Sequence, residues 1–168
     1  MDSRGTSARG LRLVVFWLVV GVVALVDQAT KAAVRQVVVP GGQPFVPGVL
    51  DLVLVENTGA AFSIGLGAGA LFVLVALAVL ACANVVVWRH ADLPLPLVVA
   101  IGLVAGGGLG NMIDRVCKGS VTDFLATTFM NFPVFNVADV CVTVGVAVAF
   151  VLYLAWDRRR GKGGEEDA

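Results

Sequence analysis

A few acidic residues stand where charge is costly, and they are the first place to look for chemistry. Asp139 is an acid in an otherwise apolar run, Val137 to Trp156, with no basic residue within one helical turn of it. An isolated carboxylate in such surroundings is expensive to ionise and tends to keep its proton. A second carboxylate at hand would give it work. Two carboxyl groups that share one proton let one take a proton from water while the other donates to a carbonyl oxygen. Asp123, sixteen residues upstream in a polar loop that must return to the start of the same run, is the candidate partner.

Further polar residues gather around this pair with helical spacing. Asp27 and Lys31 are i and i+4, Asn111 lies three before Asp114 and four before Arg115, and Asn136 lies three before Asp139. Residues three or four apart share one face of a helix, so each set forms a compact patch. Asn57 closes a short β-rich run. Asp27 with Lys31 reads first as an ion pair that fixes a helix end, of small worth if exposed. Asp114 with Arg115 divides evenly between a clamp that holds loop to helix and direct contact with a substrate. Asp51 and Glu56 read as acids facing water.

Other chemistries find less support. Ser63 and Ser120 are the candidate hydroxyl nucleophiles, but the sole histidine, His90, belongs to a loop on the far side of the chain's apolar runs. A Ser-Lys pair using Lys31 or Lys118 has no positional support. Cys82, Cys117 and Cys141 form no CxxC pair and read as small packing residues, so neither a disulfide framework, a metal site nor any cofactor is expected. There is no glycine-rich phosphate loop with its lysine and no internal repeat.

The elements that must position these groups follow from composition. With 58% hydrophobic and 14% charged residues the chain lies far outside the soluble range. Four apolar runs, about 12–33, 68–88, 93–113 and 137–156, are each long enough for a helical crossing of a bilayer. The expected fold is an all-α membrane protein of four transmembrane helices, a single domain over 1–168, with a small extracytoplasmic β-containing segment. That segment, Arg35 to Gly67, holds Pro40, Pro44 and Pro47 and the strand-like run from Val49 to Glu56, and it is placed to cover the polar residues as a lid. The second and third spans form a hairpin around Arg89, His90 and Asp92. Asp114 to Asn136 forms a second loop with Phe129, Phe132 and Phe135 suited to the headgroup level. Glycines at 106–108 and 110 are expected to allow close helix approach, and residues 158–168 to form a flexible tail.

Eight of the twelve basic residues (Arg4, Arg9, Arg12, Arg89, Arg158, Arg159, Arg160 and Lys162) fall on one side of this arrangement. Basic flanks stay in the cytoplasm, so both termini are expected there and the polar cluster near the extracytoplasmic face. The Arg-rich start followed by an apolar run lacks a small-residue cleavage site and reads as a retained anchor.

Five stretches together, in order, resemble the lipoprotein signal peptidase family, also called signal peptidase II. They are Asp27-Gln-Ala-Thr-Lys31, Asn57-Thr-Gly-Ala-Ala-Phe-Ser63, Gly107-Gly-Leu-Gly-Asn-Met-Ile-Asp-Arg115, Val121-Thr-Asp-Phe124 and Phe135-Asn-Val-Ala-Asp139, and the likeness spans residues 11–157. The resemblance implies an intramembrane aspartyl endopeptidase of the bacterial cytoplasmic membrane, with Asp123 and Asp139 catalytic. Asp27, Lys31, Asn57, Asn111, Asp114, Arg115 and Asn136 match the family's supporting, substrate-binding positions. It also implies a prolipoprotein substrate whose lipobox cysteine carries diacylglycerol, cleavage N-terminal to that cysteine, and inhibition by the cyclic peptide globomycin; no nucleic acid is involved. Two other readings are weaker. A transporter with Asp27, Asp114 and Asp139 along an ion path conflicts with acids clustered at one face and a second span without an ionisable residue. A presenilin-like protease lacks its G-x-G-D motif, because Gly108-Leu109-Gly110 is followed by Asn111.

Overall fold

A computed structural model describes residues 3–59 and 68–166, with side chains over 8–59 and 68–158; Ser63 lies outside them. Among the described residues four helices and three strands follow in the order α1 (Ser3–Val37), β1 (Gln43–Val46), β2 (Leu50–Asn57), α2 (Gly69–Arg89), α3 (Leu95–Lys118), β3 (Val121–Thr127) and α4 (Val137–Glu166). Ala8–Val37, Gly69–Arg89, Leu95–Lys118 and Val137–Arg158 are long and apolar enough to cross a bilayer. Their outward faces carry bare apolar side chains such as Leu25, 70% exposed, and Leu74, 63% exposed. In water that would be a liability; in lipid it is the solvated surface.

α3 is the central helix, packed against α1, α2 and α4. Its small residues permit this. A Cβ on Gly106 would lie 3.1 Å from the Val20 backbone of α1, and one on Gly107 would lie 2.5 Å from the Ala138 carbonyl oxygen of α4. Close backbone approach of this kind replaces the hydrophobic drive that is missing between helices in lipid. Asn84, the one strongly polar side chain of α2 before its terminal Arg89, accepts a hydrogen bond from Trp17 Nε1 at 3.1 Å and so ties α2 to α1. At the other end of the bundle Arg12 Nε donates to the Leu93 carbonyl at 2.7 Å, fastening α1 to the α2–α3 turn.

The strands form one antiparallel sheet in the order β1-β2-β3. β2 falls where the β-branched run predicts it. Its pairing with β3 sets Val55 opposite Asp123 and Asn57 opposite Val121. Beyond β3 the chain turns back: Phe135 N–H donates to the Leu125 carbonyl at 3.0 Å, and the Phe135 carbonyl accepts from Leu125 N–H at 2.8 Å. This closure delivers the start of α4 to the side of β3.

Four expectations are corrected. α3 does not stop at Ile113 but runs to Lys118, because Asp114 is neutralised inside the protein and the first residue able to end the helix is Gly119, in the left-handed conformation at φ 79°. Asp123 lies on a strand rather than in a loop. The backbone of residues 158–166 continues α4 as helix instead of forming an irregular tail, even across Gly161, Gly163 and Gly164, since extending an existing helix costs far less than starting one. Cys82 and Cys117 are exposed on outward helix faces and pack no interior.

Candidate active site

The two acids singled out from the sequence reach the same cavity from different elements. A strand alternates its side chains, so with Thr122 pointing into the protein Asp123 points the other way, towards α3 and α4. Asp139 sits in the first turn of α4, and the local sequence explains its pose. Asn136 is the residue before the helix, its Oδ1 accepting from Asp139 N–H at 3.0 Å while Asp139 Oδ2 accepts from Asn136 N–H at 3.0 Å. This reciprocal pair is a capping box, with Asn and Asp in place of the commoner Ser and Glu. The cavity, about 660 Å³, is lined by Asp123, Asp139, Asn57, Asn111 and Arg115 on its polar side and by Phe72, Phe132 and valines of α2 and α4 elsewhere.

Four N–H donors meet the four carboxylate oxygens. Asp123 accepts from Asn57 Nδ2 at 2.9 Å and from Asn136 Nδ2 at 2.7 Å. Asp139 accepts from Asn111 Nδ2 at 2.8 Å and from the Asn136 backbone N–H. Asn136 therefore touches both acids. Burial pushes the Asp123 carboxyl up to about 6; the Asn57 and Asn136 amides and the Lys31 ammonium oppose the rise, and the neighbouring Asp139 charge adds to it.

Behind this layer lies a second one, fully buried. Lys31 Nζ is held by Asp27 at 2.8 Å, Asp114 at 2.9 Å and Asn111 Oδ1 at 2.9 Å. Asn111 Oδ1 also accepts from Asn136 Nδ2 at 3.0 Å, which leaves its own amide nitrogen facing Asp139. Asp27 Oδ1 accepts from Ala138 N–H at 3.0 Å, so one carboxylate both pairs with Lys31 and caps the N-terminus of α4. Gly110 makes room for it, since a Cβ there would lie 2.6 Å from Asp27 Oδ2. Asp114 collects Lys31, Lys118 at 2.7 Å, Arg35 at 3.4 Å and the Thr122 N–H at 3.2 Å.

All nine residues expected at the site are thus brought together, in two ranks. Asp123, Asp139, Asn57, Asn111 and Arg115 open onto the cavity; Asp27, Lys31, Asp114 and Asn136 are 0% exposed and hold the front rank in place. The Asp27–Lys31 pair is not an exposed helix-end pair but a buried link between α1 and α3. Asp114 acts as the clamp. With both acids locked onto Lys31, neither lines an ion path. Lys31 itself lies in the buried rank, its Nζ enclosed by Asp27, Asp114 and Asn111, and does not reach the cavity where a nucleophile would stand. Ser120 donates to Glu56 at 2.6 Å, and Glu56 accepts from Thr122 at 3.2 Å, so Glu56 is bonded within the sheet rather than facing only water.

Sequence reading missed Arg35 and Thr122. Arg35 Nη2 donates to Thr122 Oγ1 at 2.6 Å as well as to Asp114, pinning the strand beside Asp123 to α1. The signal was available: Asp27, Lys31 and Arg35 continue one i, i+4, i+8 face. Arg115 Nη2 donates to the Gly59 carbonyl at 2.8 Å, and its guanidinium lies 4.8 Å over the Phe72 ring, a contact from α2 that no polar residue announced. Among the described residues no group of His, Cys, Asp and Glu side chains has the arrangement of a metal site.

The model of the signal peptidase (SPase) II family matches residues 19–155. The lipoprotein signal peptidase of Symbiobacterium thermophilum is 43% identical over 150 residues, covering 86% of this chain and 97% of that protein. That of Enterococcus faecalis is 36% identical over 154 residues, covering 91% and 95%. A solved structure described as a bacterial membrane enzyme superposes with a TM-score of 0.77 at 31% identity, covering 83% of this chain and 87% of the other. A second, described in the same words, gives 0.74 at 32% identity. The family match over most of the chain, with both ranks of polar residues inside it, leads to one conclusion: the chain belongs to the signal peptidase II family.

Proposed function

We propose that this protein is a single-domain aspartyl endopeptidase that removes signal peptides from prolipoproteins, with Asp123 and Asp139 as its catalytic pair. The observation that carries the reading is the pair itself: two carboxyls on different elements face one cavity, and each accepts two hydrogen bonds from a shared set of asparagine donors. Such a pair works with one proton between its members. The ionised carboxylate takes a proton from water as the water oxygen attacks the scissile carbonyl carbon, and the protonated carboxyl donates to the carbonyl oxygen. As the tetrahedral intermediate collapses the C–N bond breaks, the proton taken from water passes to the leaving amine, and one hydroxyl of the intermediate returns its proton to the carboxylate that had donated to the carbonyl oxygen, which restores the pair. The asparagines hold both carboxyls in position, and Lys31 holds Asn111, whose Oδ1 also accepts from Asn136.

Arg115 is the candidate for orienting substrate. Its guanidinium lines the cavity beside both aspartates, with Nη2 on the Gly59 carbonyl and a buried Nε that has no acceptor among the described residues. The apolar flank of the cavity suits a substrate that arrives through lipid: a signal-peptide helix joined to a diacylglyceryl cysteine, cleaved N-terminal to that cysteine. We place the protein in the bacterial cytoplasmic membrane with both termini in the cytoplasm and the aspartates near the outer face, as the basic residues require. Globomycin is expected to occupy the same cavity.

Purified protein in detergent micelles should cleave a diacylglyceryl prolipopeptide at the cysteine, release an unmodified one far more slowly, and lose activity when globomycin is added. Absence of cleavage of the lipidated substrate would refute the proposal.

A further inference from the structure

Thr122 stands next to Asp123 in β3, and each of its hydrogen-bonding groups is engaged. Its hydroxyl oxygen accepts from both prongs of the Arg35 guanidinium, Nη2 at 2.6 Å and Nε at 3.2 Å, and the hydroxyl hydrogen is left to donate to Glu56 Oε1 at 3.2 Å. A hydroxyl offers one donor and two lone pairs, so this one is saturated in a single orientation. The Thr122 N–H donates to Asp114 Oδ2 at 3.2 Å, and its carbonyl accepts from Asn136 Nδ2 at 3.5 Å. One residue, 0% exposed, is thus held at once by α1, α3, β2 and the residue that caps α4. Glu56 is its direct partner across the β2–β3 ladder, and Glu56 Oε2 accepts from Ser120 at 2.6 Å, so both carboxylate oxygens are occupied although the residue is exposed. On the other side of Asp123 the ladder gives less support. Its register slips between Leu52 and Val55: Val55 pairs with Asp123 and Leu52 with Leu125, so Val53 and Leu54 stand against the single Phe124. Such a bulge bends a strand and leaves the ladder locally disrupted. Asp123 therefore lies between an irregular stretch of ladder and one firmly anchored neighbour.

We propose that Thr122 is a positioning residue for the aspartyl pair: the Arg35–Thr122–Glu56 bridge on one face of β3 fixes the backbone from which Asp123 reaches into the cavity on the other. The inference rests on the function proposed above and adds to it three residues that do not line the cavity. Neighbouring residues of a strand project to opposite faces, so a turn about the strand axis that moves Thr122 moves Asp123 with it. Asp123 has to meet two amides at once, Asn57 Nδ2 at 2.9 Å and Asn136 Nδ2 at 2.7 Å, and hydrogen bonds weaken steeply once their geometry is lost. A misplacement of about 1 Å can lower turnover by about a hundredfold. Arginine at position 35 fits the task where lysine would not. Its planar fork places two N–H groups on Thr122 while Nη2 also reaches Asp114 at 3.4 Å, and an ammonium is a point charge without that fork.

The test is Thr122→Val, which keeps the β-branched shape and removes the hydroxyl, set against Thr122→Ser, which keeps the hydroxyl. With a diacylglyceryl prolipopeptide, Thr122→Val should lower kcat by about tenfold while KM stays the same, and Thr122→Ser should recover most of the loss. The limb of the kcat/KM profile near pH 6 should move upward in Thr122→Val, because a displaced Asp123 loses part of the Asn57 and Asn136 donors that favour its charge. A protein that is merely less stable keeps the limb in place. Arg35→Lys retains a cation beside Asp114 but not the two-pronged grip on Thr122, so it should lose kcat and move the limb in the same direction. Combining Arg35→Lys with Thr122→Val should lose little more than Thr122→Val alone, since both act through one hydroxyl. Arg35→Lys leaves Thr122 in place and stands as a test by itself should Thr122→Val fail to fold: full kcat with the limb unmoved overturns the inference. An unchanged kcat in a folded Thr122→Val protein, an equal loss in Thr122→Ser, or additive losses on combination overturn it too, and each leaves the proposed function in place. Failure of the wild-type protein to cleave the lipidated substrate overturns both.

Discussion

Replacing Asn57 by alanine separates the role of the asparagines from that of the carboxyls. Asn57 Nδ2 donates to Asp123 Oδ2 at 2.9 Å, a hydrogen bond that favours the ionised form of a carboxyl otherwise raised to about 6 by burial. Removing the donor must therefore raise the Asp123 value further. A hydrogen bond to a charged group contributes about 1.5–3 kcal/mol in a protected site. Asn57 is only half-buried and water can take part of its place, so the lower figure applies. At about 1.4 kcal/mol per unit this is a rise of about one pH unit. The linkage sign is consistent: a carboxyl raised in the folded state stabilises it fully below its unfolded value and loses that contribution as pH rises through about 6. The assay is the pH dependence of kcat/KM for a lipidated substrate, which reports ionisations of the free enzyme. The wild-type profile should have a limb near pH 6, belonging to the pair rather than to one residue alone. Asn57→Ala should move that limb upward by about one unit while retaining more activity than loss of either aspartate. An unchanged limb would show that Asn57 does not tune Asp123 and would refute the role assigned to the front-rank amides.

The buried rank makes its own predictions. Lys31→Met leaves Asp27 and Asp114 fully buried and without the ammonium they share, which should cost about 3–5 kcal/mol and show as a lowered Tm in detergent; an unchanged Tm would mean that the pair is not the link between α1 and α3. Gly107→Ala sets a methyl against the Ala138 carbonyl oxygen at the base of Asp139, and overpacking there should cost about 1–3 kcal/mol and depress kcat well beyond the loss of folded protein. Reporter fusions should show the chain's end after Arg158 in the cytoplasm and the β2 segment outside it; a reporter active outside the cell when fused after Arg158 would contradict the orientation.

The sequence made the spans, β2 and the identity of the site residues legible because each rests on local rules: run length, alternation and i, i+4 spacing. What it concealed were consequences of neutralisation and pairing. The charges Asp114, Arg115 and Lys118 look like the end of a span, and it is the partners gathered on Asp114, Lys31 and Arg35 from α1 and Lys118 one turn on, that let α3 carry on past it. Val121 to Thr127 is as β-branched as β2, but its polar Thr122 and Asp123 disguise a strand whose burial depends on Arg35, Asp114 and Asn136. Spacing could group Asn136 with Asp139 but could not tell that the two form a reciprocal helix cap, nor that Asn136 would also reach Asp123. The division into front and buried ranks is likewise tertiary, since Asp27 and Asn111 look equally polar in the chain and only packing decides which one meets the cavity.

The most direct test of the central claim is cleavage of a diacylglyceryl prolipopeptide by Asp123→Asn, Asp139→Asn and the double variant, each checked for fold by circular dichroism and for globomycin binding. Asparagine keeps the shape of each side chain and removes its ability to exchange the proton. A general acid or base typically contributes a factor on the order of a hundred or more, so each single variant should lose at least about that much in kcat. Because the two carboxyls share one proton and act as a unit, the double variant should lose little more than either alone. A folded, inhibitor-binding Asp139→Asn protein that cleaves at near the wild-type rate would contradict the aspartyl pair.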